Sequence, residues 1–228
     1  MNNFFYLFSK FKHKLLNIIS MKKITLLFFM LLCSLAGYSQ LAENFESGVW
    51  PPAGWSILNV QGVQQQWAEG TVATGQPVHS PTHSAFMQRE NVATGSTTED
   101  FLVSKPFTVP ANPQIRFWSY TTIPGNQLTM YKVMLLPPTG DVNDPDDYVL
   151  LEDYTETELT PSAETWVLNT VTKPALSSLA GSSVRIAFVM MGDQGDRWAL
   201  DDIEVVSECF LPTTLAANNI DLDSAVLS

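Results

Sequence analysis

The stretch DRWALDDIEV, residues 196–205, alternates like a half-buried β-strand, but its alternation changes phase in the middle. Successive side chains of a strand point to opposite faces, so Trp198 and Leu200 share one face. The next apolar residues, Ile203 and Val205, fall out of step with that pair by one residue. An extra residue in one strand, a β-bulge, shifts the phase in this way. The stretch therefore predicts a bulged strand.

Adjacent carboxylates, Asp201 and Asp202, lie where the phase changes. If the residues only form a bulge, both acids point to solvent. Alternatively, one of them points inward at the sheet edge, where an isolated ionised carboxylate is costly. A hard cation with oxygen ligands, such as calcium, removes that cost. Pairing with Arg185 or Arg197 is the electrostatic alternative.

Residues 21–39 predict a signal peptide. Two lysines precede the apolar run ITLLFFMLLCSLAG, and small residues occupy both key positions before a cleavage site. The run is too short for a typical transmembrane helix. Residues 1–20 are interpreted as an upstream extension from a misassigned start. We therefore expect a secreted or cell-surface protein with no membrane insertion after cleavage.

The predicted mature chain is strongly acidic. Beyond residue 40 it carries seven basic and 23 acidic side chains, which gives a formal net charge of −16. Such a surface disfavours nucleic acid and anionic membranes and favours divalent cations. Cys209 is the only cysteine left after cleavage, so no disulfide can form between two residues of this fragment.

Short alternating or apolar runs recur after residue 40, and clusters of Pro, Gly, Asn and Asp separate them. Ten such runs favour an all-β fold, a jelly-roll-like antiparallel β-sandwich over residues 40–207. Residues 208–228 follow the last run and begin a new alternation. We interpret them as a linker and the truncated start of a second domain.

Motifs for catalysis are weak. His79 and His83 have the spacing of two zinc ligands on a helix, but Pro81 opposes a helix there, so a loop role is favoured. Cys209 has no adjacent base, and no serine lies in a Gly-x-Ser-x-Gly motif. Hydrolysis of a glycoside by a pair of carboxylates remains an alternative. We expect a non-catalytic protein.

Tryptophans and isolated acids give further candidates. Trp118 and Trp198 lie inside apolar runs, which predicts core positions. Trp50 and Trp67 lie at loop margins, where an exposed ring can stack on a sugar, although core packing is the simpler interpretation. We expect Asp100 to cap a strand or turn.

Another acidic stretch, DVNDPDDY at residues 141–148, superficially resembles a calcium loop. It lacks the central glycine and distal glutamate of an EF-hand. A solvated hairpin loop is the favoured interpretation of this stretch.

Four stretches together resemble the cleaved-adhesin or choice-of-anchor J family, related to the MAM-like jelly rolls of bacterial surface proteins. The stretches are NFESGVWPPAGW (44–55), EDFLVSKPFTV (99–109), the pair YKVMLL and TWVLNTV, and SVRIAFVMMGDQGDRWALDDIEV (183–205). The resemblance spans roughly residues 43–206, and the tail after it resembles the start of a fibronectin type III repeat.

The resemblance implies that the first and last strands lie close together. Glu46 would then meet the C-terminal acids, which predicts a structural calcium site of Glu46 with Asp201 or Asp202. The family also implies a calcium-stabilised adhesion module of a larger polypeptide that binds a host or environmental glycan or protein. The alternative is a non-catalytic accessory domain of an exported hydrolase such as a peptidase.

Overall fold

The computed structural model describes residues 40–61, 64–93 and 95–208, and they form twelve strands. The first six are β1 (Leu41–Glu43), β2 (Ser56–Gln61), β3 (Ala68–Thr71), β4 (His83–Met87), β5 (Glu99–Val103) and β6 (Phe107–Thr108). The other six are β7 (Pro113–Thr121), β8 (Met130–Leu136), β9 (Val149–Thr155), β10 (Val167–Val171), β11 (Ser183–Met191) and β12 (Trp198–Ser207). The predicted upstream extension, signal peptide and most of the fibronectin-like tail lie outside the described residues.

Helical structure within the described residues is limited to single turns. Two are α-helical, α1 (Glu156–Leu159) and α2 (Pro174–Ser177), and two are 3-10 turns, Val72–Thr74 and Pro145–Asp147. α2 lies in the connection between β10 and β11.

Antiparallel pairing organises the strands into two sheets. The first sheet has the order β10-β7-β12-β4-β3, and β1 also pairs with β12. The second sheet has the order β2-β5-β11-β8-β9, and β6 also pairs with β11. The predicted all-β antiparallel sandwich is confirmed, and the predicted proximity of the first and last strands is present.

Apolar residues that alternate along each strand fill the space between the sheets. On β7, Ile115 and Phe117 are buried in this core, whereas their neighbours face the outer side. Trp198 of β12 packs against Tyr131 with ring centroids 4.9 Å apart and against Trp67 at 5.3 Å. Burial of these side chains from both sheets is the main stabilising contribution of the sandwich.

The bulge predicted in β12 is present. Asp201 is opposite Trp118, and Glu204 is opposite Arg116. Over this interval β12 therefore contains one residue more than β7, which is a β-bulge. On its other edge, β12 pairs with β4 as far as Leu200 and then with β1. The bulge therefore marks the point where β12 changes its partner, and Asp202 there has a positive φ of 45°.

The outer face of the second sheet carries a second apolar cluster. Residues 137–148, here named the acidic loop, connect β8 to β9 and fold over it. Tyr148 packs on Phe101 with centroids 5.1 Å apart, and its hydroxyl donates to the carbonyl of Val142 at 2.9 Å. The acidic side chains of the loop face outward, as expected for a solvated loop, but its apolar residues cover the sheet.

Candidate ligand-binding face

One loop lies across half of the outer face of the first sheet. Residues 75–82, here named the cover loop, precede β4 and contain most of the HSPTH motif. Ser84 of β4 donates from its hydroxyl to the carbonyl of Pro77 at 2.7 Å, which fixes the loop over β4.

Asp201 fixes the middle of the cover loop. Because it is opposite Trp118, which lies outside the core cluster, its side chain is on the outer face of the sheet. Its Oδ2 accepts the backbone N–H groups of His79 at 3.0 Å and Ser80 at 3.1 Å. The residue is 0% exposed, since the loop covers it. Both orientations considered for this carboxylate, into the core and towards solvent, are therefore wrong: it lies on the outer face and is buried under the loop.

Asp202 and Glu46 hold the same loop at its two sides. Asp202 Oδ2 lies 2.7 Å from His79 Nδ1 and accepts the hydroxyl of Ser80 at 2.8 Å. Glu46 accepts the backbone N–H groups of Thr82 at 2.9 Å and His83 at 2.6 Å. The three acids selected from the sequence thus bind one five-residue segment.

The pKa values of Asp201 and Glu46 are shifted in opposite directions, because burial dominates at the first and hydrogen bonding at the second. Burial raises the pKa of Asp201 to about 6, although backbone N–H groups oppose the shift. Burial also raises the pKa of Glu46, but hydrogen bonds from Thr82 and His83 outweigh it and lower that pKa to about 2. The hydrogen bond to Glu46 raises the pKa of His83.

The donors around these carboxylates differ from the ligand shell of calcium. Backbone N–H groups, which cannot bind a cation, and hydroxyl groups satisfy their oxygens as hydrogen-bond donors. In the part of the chain that the structure describes, no group of three or more His, Cys, Asp or Glu is placed to hold a metal ion. The residues present do not fit a calcium site, and calcium binding by them stays a prediction.

Arginine pairing with the bulge acids is also wrong. Arg185 donates to the carbonyls of Gly54 at 3.0 Å and Ser104 at 2.6 Å. Arg197 donates to the side chains of Gln88 and Thr122. Neither guanidinium is paired with Asp201 or Asp202, and Arg185 lies on β11 of the other sheet.

His79 links the cover loop to a row of aromatic rings on the open part of the face. Its imidazole stacks on Trp118, with centroids 4.0 Å apart and planes 19° apart. It also meets the edge of Trp166 at 5.4 Å, and Trp166 lies 5.3 Å from Tyr120. All four side chains are partly exposed. We name Trp118, His79, Trp166 and Tyr120 the aromatic row.

A cavity of about 510 Å³ opens at the Trp118 end of the row. Arg116 and Leu168 line it together with Glu43 and Glu204. His79 covers one face of the indole of Trp118 and is not part of the cavity wall. The opposite side of that indole is therefore the one available to a ligand.

A second cavity, of about 350 Å³, opens at the Tyr120 end of the row. Its wall is mostly polar and includes Gln76, Gln88, Glu164 and Arg197. Amide and charged groups of this kind supply hydrogen bonds that orient a bound ligand. The face thus combines apolar rings with polar groups at both ends.

The structure decides between the two roles considered for Trp67 and changes the role predicted for Trp118. Trp67 is 0% exposed, because its ring packs on Trp198, and it cannot stack on a ligand. Trp118 is outside the core, because it alternates with the buried Phe117 along β7. Trp50 is half-buried against Phe45 and donates from Nε1 to the carbonyl of Trp67 at 3.3 Å. Trp198 is in the core, as predicted.

Asp100 also departs from its predicted role. It lies within β5, it is 0% exposed, and neither side-chain oxygen has a hydrogen-bond partner in the described residues. Burial, with the charges of Glu90 and Glu99, raises its pKa to about 7. The carboxyl therefore caps nothing and is a buried, unpaired acid.

Comparison with protein families identifies the chain. The model of the Cleaved Adhesin Domain matches residues 38–176, which is more than half of the chain. The chain belongs to the cleaved adhesin domain family. This confirms the family resemblance and makes the chain an adhesion or binding module. The choice-of-anchor J and fibronectin type III assignments stay predictions.

Solved structures resemble this cleaved adhesin domain in fold. The K1 cleaved adhesin domain of Lys-gingipain from Porphyromonas gingivalis W83 matches with a TM-score of 0.55 and 22% identity, over 74% of this chain and 98% of that one. The K3 cleaved adhesin domain of the same protein matches with a TM-score of 0.54 and 22% identity, over 75% of this chain and 100% of that one. TmCBM61, in complex with beta-1,4-galactotriose, matches with a TM-score of 0.50 and 12% identity, over 75% of this chain and 99% of that one. No curated protein matches the chain.

Among the described residues, no helix is long and apolar enough to cross a membrane.

The aromatic row is the feature that the sequence analysis did not predict. Its signal was the alternation in QIRFWSYT, residues 114–121, which places Arg116, Trp118 and Tyr120 on one face. The contribution of Trp166 and His79 depends on distant segments and gave no local signal.

Proposed function

We propose that this domain is a secreted or cell-surface recognition module that binds glycan through the aromatic row, without catalysing a reaction. The observation that carries the proposal is the row itself. Three large aromatic side chains, Trp118, Trp166 and Tyr120, lie partly exposed side by side between two cavities. Exposed aromatic groups in such an arrangement mark binding surfaces.

The chemistry of a sugar matches this surface. A sugar ring presents C–H groups on its faces, which pack on the electron-rich face of an indole or phenol. Its hydroxyl groups lie around the edge and require hydrogen-bond partners. Glu204 and Arg116 at one end and Gln76 and Gln88 at the other supply such partners.

The carboxylates on this face that could act on a glycoside are in contact with other side chains. Asp202 is hydrogen-bonded to His79 and Ser80, and Glu204 is paired with Arg116 at 3.6 Å. Both acids are therefore engaged in positioning the surface. Incubation of the chain with chromogenic glycosides tests this part of the proposal, and we expect no turnover above background.

Export and a role within a larger polypeptide complete the proposal. The predicted signal peptide at residues 21–39 supports export. A role as the accessory domain of an exported hydrolase is the alternative, and it uses the same binding face. A catalytic domain encoded downstream would favour the hydrolase, and further β-repeats would favour an adhesin.

Calcium stabilisation is a separate expectation that thermal unfolding tests directly. A midpoint that rises with calcium, falls with EDTA and loses this response in Glu46→Ala and Asp202→Ala would support the predicted site. The hydrogen bonds to the cover loop favour the opposite result, since they satisfy these carboxylates without a cation. An unchanged midpoint would refute the calcium site.

Affinity electrophoresis in gels that contain soluble neutral polysaccharides tests glycan binding. We expect at least one polysaccharide to retard the chain, and we expect Trp118→Ala and Trp166→Ala to abolish the retardation. Trp50→Ala is the matched control, because Trp50 is half-buried and lies outside the row. Unfolding midpoints of the three variants confirm that each is folded.

Two results would contradict the proposed site. Loss of retardation in Trp50→Ala, with Trp118→Ala still retarded, would move the site to the loop between β1 and β2. If no polysaccharide retards the chain and a protein ligand binds instead, the glycan proposal is wrong.

A further inference from the structure

The two cavities on the first sheet belong to one continuous surface. Trp118, at one end of the aromatic row, lines the first cavity, and Tyr120, at the other end, lines the second. Ring contacts of 4.0, 5.4 and 5.3 Å connect them through His79 and Trp166. Trp118 and Tyr120 also lie two residues apart on the outer face of β7, so a ligand lying along this strand reaches both cavities.

The length of this surface indicates the size of the ligand. Arg116, in the first cavity, and Thr122, in the second, are six residues apart along β7 and the residue after it. At the rise of an antiparallel strand, this separation is about 20 Å. One sugar ring covers only a small part of such a distance, so an occupant of both cavities has several units.

The charges of the cavities indicate the type of ligand. Three carboxylates, Glu43, Asp202 and Glu204, line the first cavity, and Glu164 lines the second. An anionic sugar would face these like charges at close range.

The two guanidinium groups on the surface are already engaged. Arg116 pairs with Glu204 at 3.6 Å and donates to Gln114, and Arg197 donates to Gln88 and Thr122. Each guanidinium is thus held in place by neighbouring side chains, and Glu204 offsets part of the positive charge of Arg116 that an acidic sugar would meet.

We infer that the ligand is a linear, uncharged oligosaccharide that lies along β7 and fills both cavities at once. This inference rests on the proposed function and adds the chain length and charge of the glycan. The aromatic row supplies the stacking surface, and the polar groups of the two cavities bind the hydroxyl groups at the two ends.

Isothermal titration calorimetry of the purified chain tests the inference. The probes are cello-, xylo- and galacto-oligosaccharides of one to six units, with oligogalacturonates as the anionic counterpart. For at least one neutral series, we expect the affinity to rise at least about tenfold from the disaccharide to the hexasaccharide. We expect the oligogalacturonates to bind more weakly than that series.

Variants at the two ends sharpen the test. Leu168→Ala removes a side chain of the first cavity that is 48% exposed, and Gln76→Ala removes one of the second cavity. Each change is expected to weaken hexasaccharide binding severalfold. Leu150→Ala is the matched control, because Leu150 is 47% exposed on β9 of the other sheet, and we expect it to bind like the unmodified chain.

The results separate this inference from the proposed function. A disaccharide that binds as tightly as the hexasaccharide would overturn the inference and leave glycan binding intact. Tighter binding of oligogalacturonates would also overturn it. If only one end variant weakens the hexasaccharide, the two cavities do not share one ligand. Absence of binding to every saccharide would overturn both.

Discussion

The two sheets of this cleaved adhesin domain use their outer faces differently. On the second sheet, Phe101 is buried against Tyr148 of the acidic loop. On the first sheet, Trp118 and Trp166 remain partly exposed, although His79 of the cover loop stacks on Trp118. Aromatic side chains thus stabilise one face and are available for binding on the other.

The difference comes from how each loop is held. Apolar side chains of the acidic loop, such as Val142 and Tyr148, pack on the sheet beneath them. The cover loop is held by hydrogen bonds to carboxylates, chiefly those of Asp201 and Glu46. A loop fixed by polar contacts at its base can remain narrow and leave the neighbouring strands open.

Phe101→Ala is expected to have the largest effect on stability. Removing this fully buried ring should cost about 3–5 kcal/mol of unfolding free energy. Trp118→Ala should cost far less stability and weaken glycan binding about 30-fold or more, as expected for the centre of a binding site. Urea unfolding and calorimetry measure the two quantities. Equal destabilisation by both changes would contradict the distinction between the faces.

Asp201→Ala tests the polar anchor of the cover loop. It leaves the N–H groups of His79 and Ser80 without their acceptor, which should cost about 1–3 kcal/mol. Glycan binding should also weaken, because His79 no longer orients Trp118. Asp146→Ala, in the exposed acidic loop, is the control and should change neither property. Unaltered stability of Asp201→Ala would show that the loop is held by other contacts.

Asp100→Asn tests the unpaired acid in the second sheet. The folded pKa of about 7 lies above the ordinary value of 3.8, so the folded protein keeps a proton that the unfolded chain loses between these values. Stability therefore falls as pH rises through this window, and the loss is complete above pH 7. The amide should stabilise the protein by about 1–3 kcal/mol at pH 8 and much less at pH 4. Urea unfolding at both pH values measures this difference, and a gain that does not depend on pH would contradict it.

Leu150→Ala is expected to have the smallest effect. Substitutions at exposed positions usually change the unfolding free energy by less than about 0.5 kcal/mol. Leu150 lies at the edge of the second sheet and outside the binding face, so affinity should also be unchanged. A loss of glycan binding in this variant, measured by calorimetry, would extend the binding surface to the second sheet.

The sequence predicts those features that depend on local periodicity. The all-β fold and the bulge at Asp201 follow from alternation along single strands, and both are present. The apolar neighbours of Trp118 predict a core position, whereas its alternation with Phe117 places it on the outer face. Strand periodicity was the better guide at this position.

Features that depend on distant segments could not be predicted. Asp201 lies more than 120 residues from His79, and only the fold brings the cover loop over it. Trp67 was a candidate for ligand binding because it lies beside a polar run, but packing on Trp198 of another strand buries it. Long-range contacts of this kind decide which acids are covered and which rings are open.

The central claim is that glycan binds on the aromatic row of the first sheet. The indole N–H resonances of the six tryptophans, followed by NMR during titration with a neutral hexasaccharide, test it most directly. We predict that the signals of Trp118 and Trp166 shift in proportion to saturation, while those of the buried Trp67 and Trp198 stay in place. Shifts confined to Trp50 and Trp55, with Trp118 and Trp166 unmoved, would contradict the claim.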